Sequence, residues 1–421
     1  MKNFSRIAAS AAALALILEC GCGHKQIVTS QHEQTEITLS WWGNDSRNEY
    51  TLEAVELFKQ QHPDIKVKCS YSEWSGYEAR SRIRMISDTE ADVMQINVGW
   101  LGQFSADGTG YYDLSKVSDY VDLSSFPDEI LSYGTRNGIL NAVPIAMNAE
   151  TVYINKSIFE EHGLEVPVTW DALFKSADVL SKDNIYPLSG ASKAIWLYCI
   201  TYTEQKNGKT ILDDKGNFAF TEKDWETAVD FYIRMVDKKV IPQIENFKKV
   251  NIEKGEYAGA VAWVSDAINY FDSTQKNGDE VIAADYTAFT PESSGTGWYE
   301  KPATLYAISK NTDQPKEAAI LLDFLLNSKD MAQLQGVEKG IPISQTALNT
   351  LDKKGMLSGL QYEASEMMNS NDKLREMDPV LENNDIINDF FSTCNLVMYD
   401  KASLEEAASG FYTALNEKNL Q

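Results

Sequence analysis

Tryptophans, amides and carboxylates cluster at the ends of three predicted strands early in the chain. The stretches are WWGNDSR, SEWSGY and NVGWLGQF, and the first of them opens with the adjacent Trp41 and Trp42. An indole face covers the apolar C–H face of a sugar ring, while amides and carboxylates hydrogen-bond the hydroxyls at its edge. These residue types therefore favour non-covalent recognition of a polar solute that also has an apolar face.

Residue patterns for catalysis or metal binding are weaker. His24, His32, His62 and His162 are scattered along the sequence, and P-loop and G-x-S-x-G motifs are absent from it. A glycoside hydrolase, however, requires only two suitably spaced carboxylates, and the chain contains 62 Asp and Glu residues. We expect a non-catalytic protein without a cofactor or metal, and a secreted glycoside hydrolase is the catalytic alternative.

Composition and charge restrict the class of protein further. The chain has 421 residues, 43% of them hydrophobic, and a formal net charge of −24 at pH 7. This length and composition suffice for more than one hydrophobic core. Nucleic acid is excluded as an expected partner, because binding to phosphates requires a basic surface.

Strands and helices alternate around the tryptophan-bearing stretches. ITLSWW, IKVKCSY and ADVMQIN have strand patterns with helices predicted between them, which indicates a parallel sheet with right-handed crossovers. Because ligands of open α/β sheets bind outside the carboxyl ends of the strands, we expect the three stretches to meet at one edge. Trp41 continues the alternation of Ile37 and Leu39 and is predicted to lie in the core. Trp42 points the other way and is predicted to face a cleft.

The N-terminal region has the features of a targeting segment. Lys2 and Arg6 precede an apolar run at residues 7–18, which is too short to span a bilayer and is typical of a secretory signal peptide. The following LECGCG resembles the cleavage box of bacterial lipoproteins, and we predict that Cys22 carries the lipid (palmitate), with Cys20 as the alternative. We therefore expect a signal peptide at 1–21 and a flexible tether at 22–35.

Four stretches, spread over most of the chain, together resemble the extracellular solute-binding proteins of bacterial carbohydrate ABC transporters, of the maltose-binding type (family 1). They are WWGNDSRNEYTLEAVELFKQQHPDIKV, ADVMQINVGWL, AVPIAMNAETVYINKSIFEEHGLEVPVTWDALF and ATLYAISKNTDQPKEAAILLDFLLN. The resemblance implies an α/β fold of two lobes, each a parallel-rich sheet flanked by helices, joined by a hinge that closes over the ligand. The N-terminal lobe would hold 36–147 and 288–340, and the C-terminal lobe 148–287 and 341–421.

The resemblance also implies a function. The protein would capture a sugar, specifically an oligosaccharide, in the cleft between the lobes and deliver it to the membrane permease subunits of an ABC transporter. It would act as a monomer, held at the extracellular face of the bacterial cell membrane by its lipid anchor. A binder of a non-sugar solute is the remaining alternative, against which the aromatic loops count.

Candidate ligand-binding residues are the aromatic, amide and charged side chains of the loops expected at the cleft. Arg47 falls in the predicted first turn of a helix, where a positive charge is unfavourable, which suggests a use in binding. Asp45 is either a helix cap or a ligand acceptor, and Trp100 has packing as its alternative role. Arg47 and Lys301 leave open whether the sugar carries a carboxylate. The full set is Trp42, Asn44, Asp45, Arg47, Trp74, Gln95, Asn97, Trp100, Asn148, Trp196, Trp263, Asp266, Trp298, Tyr299 and Lys301.

Overall fold

A computed structural model describes residues 34–213 and 215–417. The predicted signal peptide, the predicted lipidation residue Cys22 and nearly all of the predicted tether lie outside the described residues. Within them, none of the helices is both long and apolar enough to cross a membrane.

The described chain forms ten strands and sixteen helices. The strands are β1 (Thr35–Trp42), β2 (Ile65–Ser72), β3 (Val93–Ile96), β4 (Thr135–Arg136), β5 (Ile139–Leu140), β6 (Ala142–Asn155), β7 (Gly259–Trp263), β8 (Val281–Ala284), β9 (Tyr299–Ile308) and β10 (Arg375–Glu376). The helices are α1 (Asp45–Gln61), α2 (Trp74–Ile86), α3 (Gly99–Ser105), α4 (Asp128–Tyr133), α5 (Lys156–Glu161), α6 (Trp170–Leu180), α7 (Ser192–Asn207), α8 (Glu222–Asp237), α9 (Val250–Glu253), α10 (Ala267–Lys276), α11 (Pro315–Asn327), α12 (Lys329–Gln335), α13 (Gln345–Lys353), α14 (Leu360–Asn369), α15 (Asn384–Met398) and α16 (Leu404–Glu417).

The first lobe is built on a sheet in the order β2-β1-β3-β9-β6. Strand β1 pairs in parallel with β2 and β3, as the alternation of strands and helices predicts, while β9 is antiparallel to both β3 and β6. Ile37, Leu39 and Trp41 on one face of β1 are fully buried. The prediction that Trp41 is a core residue is therefore confirmed, and its indole stacks on Tyr71 with ring centroids 4.8 Å apart.

The second lobe has its own core, formed by α6, α7, α8, α15 and α16 around the far half of β6. Its strand ladders differ from the expected parallel-rich arrangement, because β6 pairs antiparallel with both β7 and β8. Parallel pairing in this lobe is limited, among the described residues, to the isolated bridges Thr169–Ala288 and Tyr186–Tyr257 and to the short ladder of β10 with the start of β9. The expected division into two α/β lobes is observed, with one sheet more antiparallel than expected.

Two antiparallel strands connect the lobes. Strand β6 pairs with β9 from Ala142 to Ala149 and with β7 from Glu150 to Ile154, so a single continuous strand passes from one lobe to the other. Strand β9 returns alongside it, and its first residues pair with β10 of the second lobe. The lobes are therefore joined by two extended strands whose backbones are hydrogen-bonded to each other.

Two of the predicted lobe boundaries differ from the observed packing. The segment before β9 belongs to the second lobe, because Trp298 is fully buried against Tyr198 and Tyr286 there. Helix α13, predicted in the second lobe, packs against α11 and α12 of the first, and the chain returns to the second lobe at α14. Long-range packing decides both cases, and no shift in composition marks either boundary.

Candidate functional site

A groove of about 700 Å³ lies between the two lobes, at the carboxyl end of β1. We call it the first groove. The first-lobe wall comes from the β1–α1 turn and the start of α2, and the opposite wall comes from the residues that follow β7. The lining residues are Trp42, Gly43, Asn44, Ser46, Arg47, Glu73 and Trp74, then Ser265, Asp266, Ile268, Asn269 and Gln361, with Glu338 from the turn between α12 and α13.

A second groove of about 540 Å³ continues the cleft on the other side of Trp74. Its first-lobe wall is α2 and the β3–α3 turn, and its second-lobe wall is the start of α7 and the segment before α15. The lining residues are Trp74, Glu78, Arg82, Asn97, Gly99, Trp100 and Gln103, then Lys193, Pro379, Val380, Glu382, Asn383, Asn384 and Asp385. The three tryptophan-bearing stretches thus do meet at one edge of the sheet.

The β1–α1 turn aims Trp42 and Arg47 at the first groove. Strand alternation sends Trp41 into the core and Trp42 to the opposite face. The side chain of Asn44 caps α1 by accepting a hydrogen bond from the backbone N–H of Arg47, 2.9 Å away. This cap fixes where α1 begins, and therefore where the side chain of Arg47 emerges.

The aromatic wall of the cleft is a cluster of four rings. Trp42 meets Trp74 edge to face at a centroid distance of 4.9 Å and lies 5.4 Å from Tyr77. Trp74 in turn stacks over Trp100 at 6.1 Å. Trp74 remains 37% exposed, although burial of so large an apolar side chain is favourable. An exposed indole at the junction of two grooves provides a surface on which an apolar ring face can stack.

An ion pair in the first groove joins α1 to the turn after α12. Arg47 Nε lies 3.4 Å from Glu338 Oε1, and Arg47 Nη2 donates to the backbone oxygen of Glu338 at 2.9 Å. Asn44 Nδ2 donates to the same Glu338 Oε1 at 3.4 Å. The positive charge at the groove is therefore engaged by a carboxylate of the chain itself.

Lys339, next to this ion pair, is almost completely buried. Its Nζ donates to the hydroxyl of Tyr306 at 2.9 Å and lies 5.8 Å from the ring centroid of Tyr50. Burial, together with the nearby positive charge of Arg47, lowers the pKa of Lys339 to about 7. This amine can therefore lose its proton near neutral pH.

A second charged cluster borders the second groove. Glu382 accepts hydrogen bonds from Lys193 at 2.9 Å and from Lys301 at 2.5 Å. Burial raises the pKa of the Glu382 carboxyl, but the two lysines outweigh this effect and hold its pKa below the usual range. Lys301 lies 4.5 Å from the ring centroid of Trp263, and burial lowers its pKa.

Asn148 positions the second-lobe wall of the first groove. Its Nδ2 donates to Ser265 Oγ at 3.0 Å, and its Oδ1 accepts from the backbone N–H of Ser265 at 3.1 Å. The next residue, Asp266, lines the groove, and burial raises the pKa of its carboxyl. Asn148 itself is buried, so it holds the loop that carries Asp266 in place.

The structure brings seven of the predicted site residues to the two grooves. Trp42, Asn44, Arg47, Trp74 and Asp266 line the first, and Asn97, Trp100 and again Trp74 line the second. Trp263, Lys301 and Asn148 support these walls through the contacts described above. Asp45 is exposed in the first turn of α1 and does not line either groove.

The structure does not bring Trp196 and Trp298 to the cleft. Trp196 is fully buried in α7, where it stacks on Trp225 at 5.8 Å and donates from Nε1 to the backbone oxygen of Leu381 at 3.0 Å. Trp298 donates from Nε1 to the backbone oxygen of Thr287 at 3.2 Å within the second-lobe core. Both indoles satisfy their polar atom internally, as buried tryptophans generally do.

Gln95 and Tyr299 are also buried away from both grooves. Gln95 is 1% exposed in β3. The hydroxyl of Tyr299 donates to Glu204 Oε1 at 2.5 Å, and Arg375 bonds both the carboxylate of Glu204 and this hydroxyl. This network ties β9 to α7 and β10, which is a structural role.

Several residues that line the grooves were not predicted from the sequence. Gly336 and Gly340, both with positive φ, bracket Glu338 and signal a tight turn that could have been suspected of reaching the cleft. Lys193 lies at the start of α7, three residues before Trp196. It lines the second groove, whereas Trp196 does not. The other missed lining residues gave no comparable signal, and they include Glu73, Ser265, Asn269, Gln361 and Glu382.

Metal ligation has no support in the described part of the chain. Among residues 34–213 and 215–417, no group of three or more His, Cys, Asp or Glu side chains is arranged to hold a metal ion. Cys69, Cys199 and Cys394 are free thiols. What the grooves offer is stacking surface, hydrogen-bonding groups and charge.

Comparisons with known proteins agree with this architecture. The sequence model of the bacterial extracellular solute-binding protein family matches residues 44–332. A periplasmic oligogalacturonide-binding protein from Yersinia enterocolitica, solved with saturated digalacturonic acid, is 32% identical over 90% of this chain and 97% of that one, with a TM-score of 0.81.

Two further relatives extend the comparison. A periplasmic solute-binding protein from Pectobacterium atrosepticum is 29% identical over 91% of this chain and 98% of that one, with a TM-score of 0.85. The mannitol-binding protein of Pseudomonas aeruginosa is 24% identical over 299 residues, which are 67% of each chain. With a family match over more than half of its length and two lobes around an aromatic cleft, the chain belongs to the bacterial extracellular solute-binding proteins.

Proposed function

We propose that this protein captures an oligosaccharide in the cleft between its lobes and delivers it to the membrane permease subunits of an ABC transporter. The observation that carries the proposal is the first groove. There, Trp42 and Trp74 of one lobe face Ser265, Asp266 and Asn269 of the other. Apolar walls with a few fixed polar groups are typical of small-molecule sites.

The geometry suits a sugar better than other small solutes. The edge-to-face pair of Trp42 and Trp74 presents flat apolar surface to a ring, while the opposite wall supplies hydroxyl, carboxylate and amide groups for its hydroxyls. The two grooves, which share Trp74 as a lining residue and measure several hundred cubic ångströms each, have room for more than one ring. An amino acid or a metal ion would leave most of this surface unused.

Acidic sugars are the substrate class that we favour. The Yersinia relative was solved with digalacturonic acid, and Arg47 lies in the first groove, with Lys193 in the second. A guanidinium binds a carboxylate through two parallel hydrogen bonds, which gives both strength and orientation. This preference is a proposal about ligand charge, separate from the proposal that the ligand is a sugar.

Location at the membrane is a further proposal. The LECGCG stretch supports lipidation of Cys22, which would hold the protein at the extracellular face of the cell membrane. We expect Cys22→Ser, with Cys20 intact, to move the protein from the membrane fraction to the soluble fraction. Unchanged membrane association of that variant would reject Cys22 as the anchor.

A thermal-shift screen with product analysis tests the proposed function. The mature protein without its lipid is heated with neutral and acidic oligosaccharides, and the same samples are examined for cleavage. A ligand at about a hundredfold excess over its dissociation constant stabilises the folded state by about 2.7 kcal/mol, which raises the melting temperature. A shift without product supports a sugar receptor. Cleavage of the sugar would instead indicate a glycoside hydrolase, and an unshifted melting temperature with every sugar would reject sugar binding.

A further inference from the structure

We propose that Glu338 is an exchangeable carboxylate, which engages Arg47 before the ligand binds and gives way to a carboxylate of the sugar. The inference rests on the proposed function and deepens it, because it names the residue pair that sets the preference for acidic sugars. It makes Glu338 a specificity-determining residue that competes with the ligand.

The side-chain carboxylate of Glu338 makes only long contacts with its partners. Glu338 Oε1 lies 3.4 Å from Arg47 Nε and 3.4 Å from Asn44 Nδ2. Arg47 Nε is shielded from solvent yet makes no hydrogen bond to any of the residues that the structure describes. A guanidinium and a carboxylate can instead form two parallel hydrogen bonds, so this pair falls well short of the optimum.

The backbone, by contrast, holds the guanidinium in place. Arg47 Nη2 donates to the main-chain oxygen of Glu338 at 2.9 Å. That residue belongs to a turn closed by two hydrogen bonds, from the N–H of Glu338 to the oxygen of Gln335 and from the N–H of Gly340 to the oxygen of Val337. The Glu338 side chain can therefore swing away while Arg47 remains oriented toward the groove.

Solvent exposure keeps the cost of breaking the ion pair between Arg47 and Glu338 low. The side chains of Arg47 and Glu338 are 24% and 26% exposed, and ion pairs in contact with water contribute little to stability. Glu382 in the second groove behaves differently, because its two lysines include the buried Lys301, which would be left without its partner. Of these two glutamates, Glu338 is the one that a ligand carboxylate can replace.

Digalacturonic acid and its dimethyl ester form a matched pair of probes, because they have the same rings and differ in charge. We expect Glu338→Gln to bind the acid about fivefold more tightly than the wild type, because a weak competing ion pair has been removed, and to bind the ester within about twofold. Arg47→Gln should lose the preference for the acid. Asp230→Asn is the control, since it removes the carboxylate of an Arg–Asp pair with the same 3.4 Å separation on α8, outside both grooves.

The outcomes separate this inference from the proposed function. Tighter binding of the acid alone by Glu338→Gln supports the exchange. Weaker or unchanged binding of the acid, or an equal gain for acid and ester, overturns it, because Glu338 would then support the site or act without regard to ligand charge. If wild-type protein binds neutral oligosaccharides and does not bind the acid, the inference fails and the proposed function stands. Failure to bind any sugar overturns both.

Discussion

Trp42 meets Trp74 edge to face at 4.9 Å, although the two residues come from different turns of the sheet edge. Strand alternation sends Trp42 out of the core, and Trp74 opens the helix that follows the next strand. The pair places the aromatic wall of the cleft on the first lobe alone. The second lobe faces this aromatic wall with Ser265, Asp266 and Asn269, so closure of the lobes would bring the stacking surface and these polar groups onto opposite sides of one ligand.

Replacement of Trp42 by alanine should separate binding from folding. The indole is partly exposed at the groove, so we expect Trp42→Ala to weaken sugar binding by about tenfold, or about 1.4 kcal/mol. Titration calorimetry measures the affinity, and circular dichroism verifies the fold. Unchanged affinity would remove Trp42 from the ligand site.

Trp196 gives the opposite expectation. Because it is fully buried against Trp225 and Phe390, Trp196→Ala should lower the free energy of unfolding by about 3–5 kcal/mol. Chemical denaturation measures this change. The folded fraction should bind sugar as the wild type does, and a selective loss of affinity without loss of stability would instead place Trp196 at the ligand.

Asn148 should affect binding through the loop that it holds. Asn148→Ala removes both side-chain hydrogen bonds to Ser265 and leaves a buried N–H without its acceptor, which costs about 1–3 kcal/mol of stability. We expect weaker sugar binding as well, because Asp266, which lines the first groove, is the residue after Ser265. Hydrogen exchange should increase in residues 264–269. Unaltered exchange there would show that Asn148 does not fix this loop.

The buried amine of Lys339 predicts a pH-dependent stability. Burial lowers its pKa to about 7 from an ordinary value of 10.5. Between about pH 7 and pH 10.5 the Lys339 amine is protonated in the unfolded chain and neutral in the folded chain. Because the unfolded chain binds more protons in this range, Lys339 makes the free energy of unfolding rise with pH. At and below about pH 7 the full penalty of burying the charge is present.

Lys339→Met removes that penalty. Its stability relative to the wild type should be greatest near pH 6 and should decline steadily toward pH 10, as urea unfolding across this range would measure. The difference between the two proteins isolates Lys339 from other titrating groups. A difference that does not vary with pH would mean that the amine keeps its ordinary pKa in the folded protein.

Local patterns predicted the parallel pairs at the start of the first lobe, and seven of the fifteen candidate ligand-binding residues line the grooves. The alternation in β1 was enough to assign Trp41 to the core and Trp42 to the groove, and the order of elements predicted the parallel pairs of β1. Trp196 and Trp298 were expected at the cleft because the sequence around them resembles loops, yet both are buried. Their burial depends on side chains that are distant in sequence, which local patterns do not reveal. Glu338 and Glu382 reach the cleft from segments far along the chain from Trp42 and Trp74, and only the three-dimensional packing reveals them.

The most direct test of the account is a calorimetric titration of wild type and Trp42→Ala side by side, using the oligosaccharide that gives the largest thermal shift. We expect saturable one-to-one binding by the wild type without cleavage of the sugar, and about tenfold weaker binding by the variant. Equal affinity in the two proteins would contradict stacking of the sugar on Trp42 in the first groove, and heat that accompanies sugar cleavage would contradict capture without catalysis.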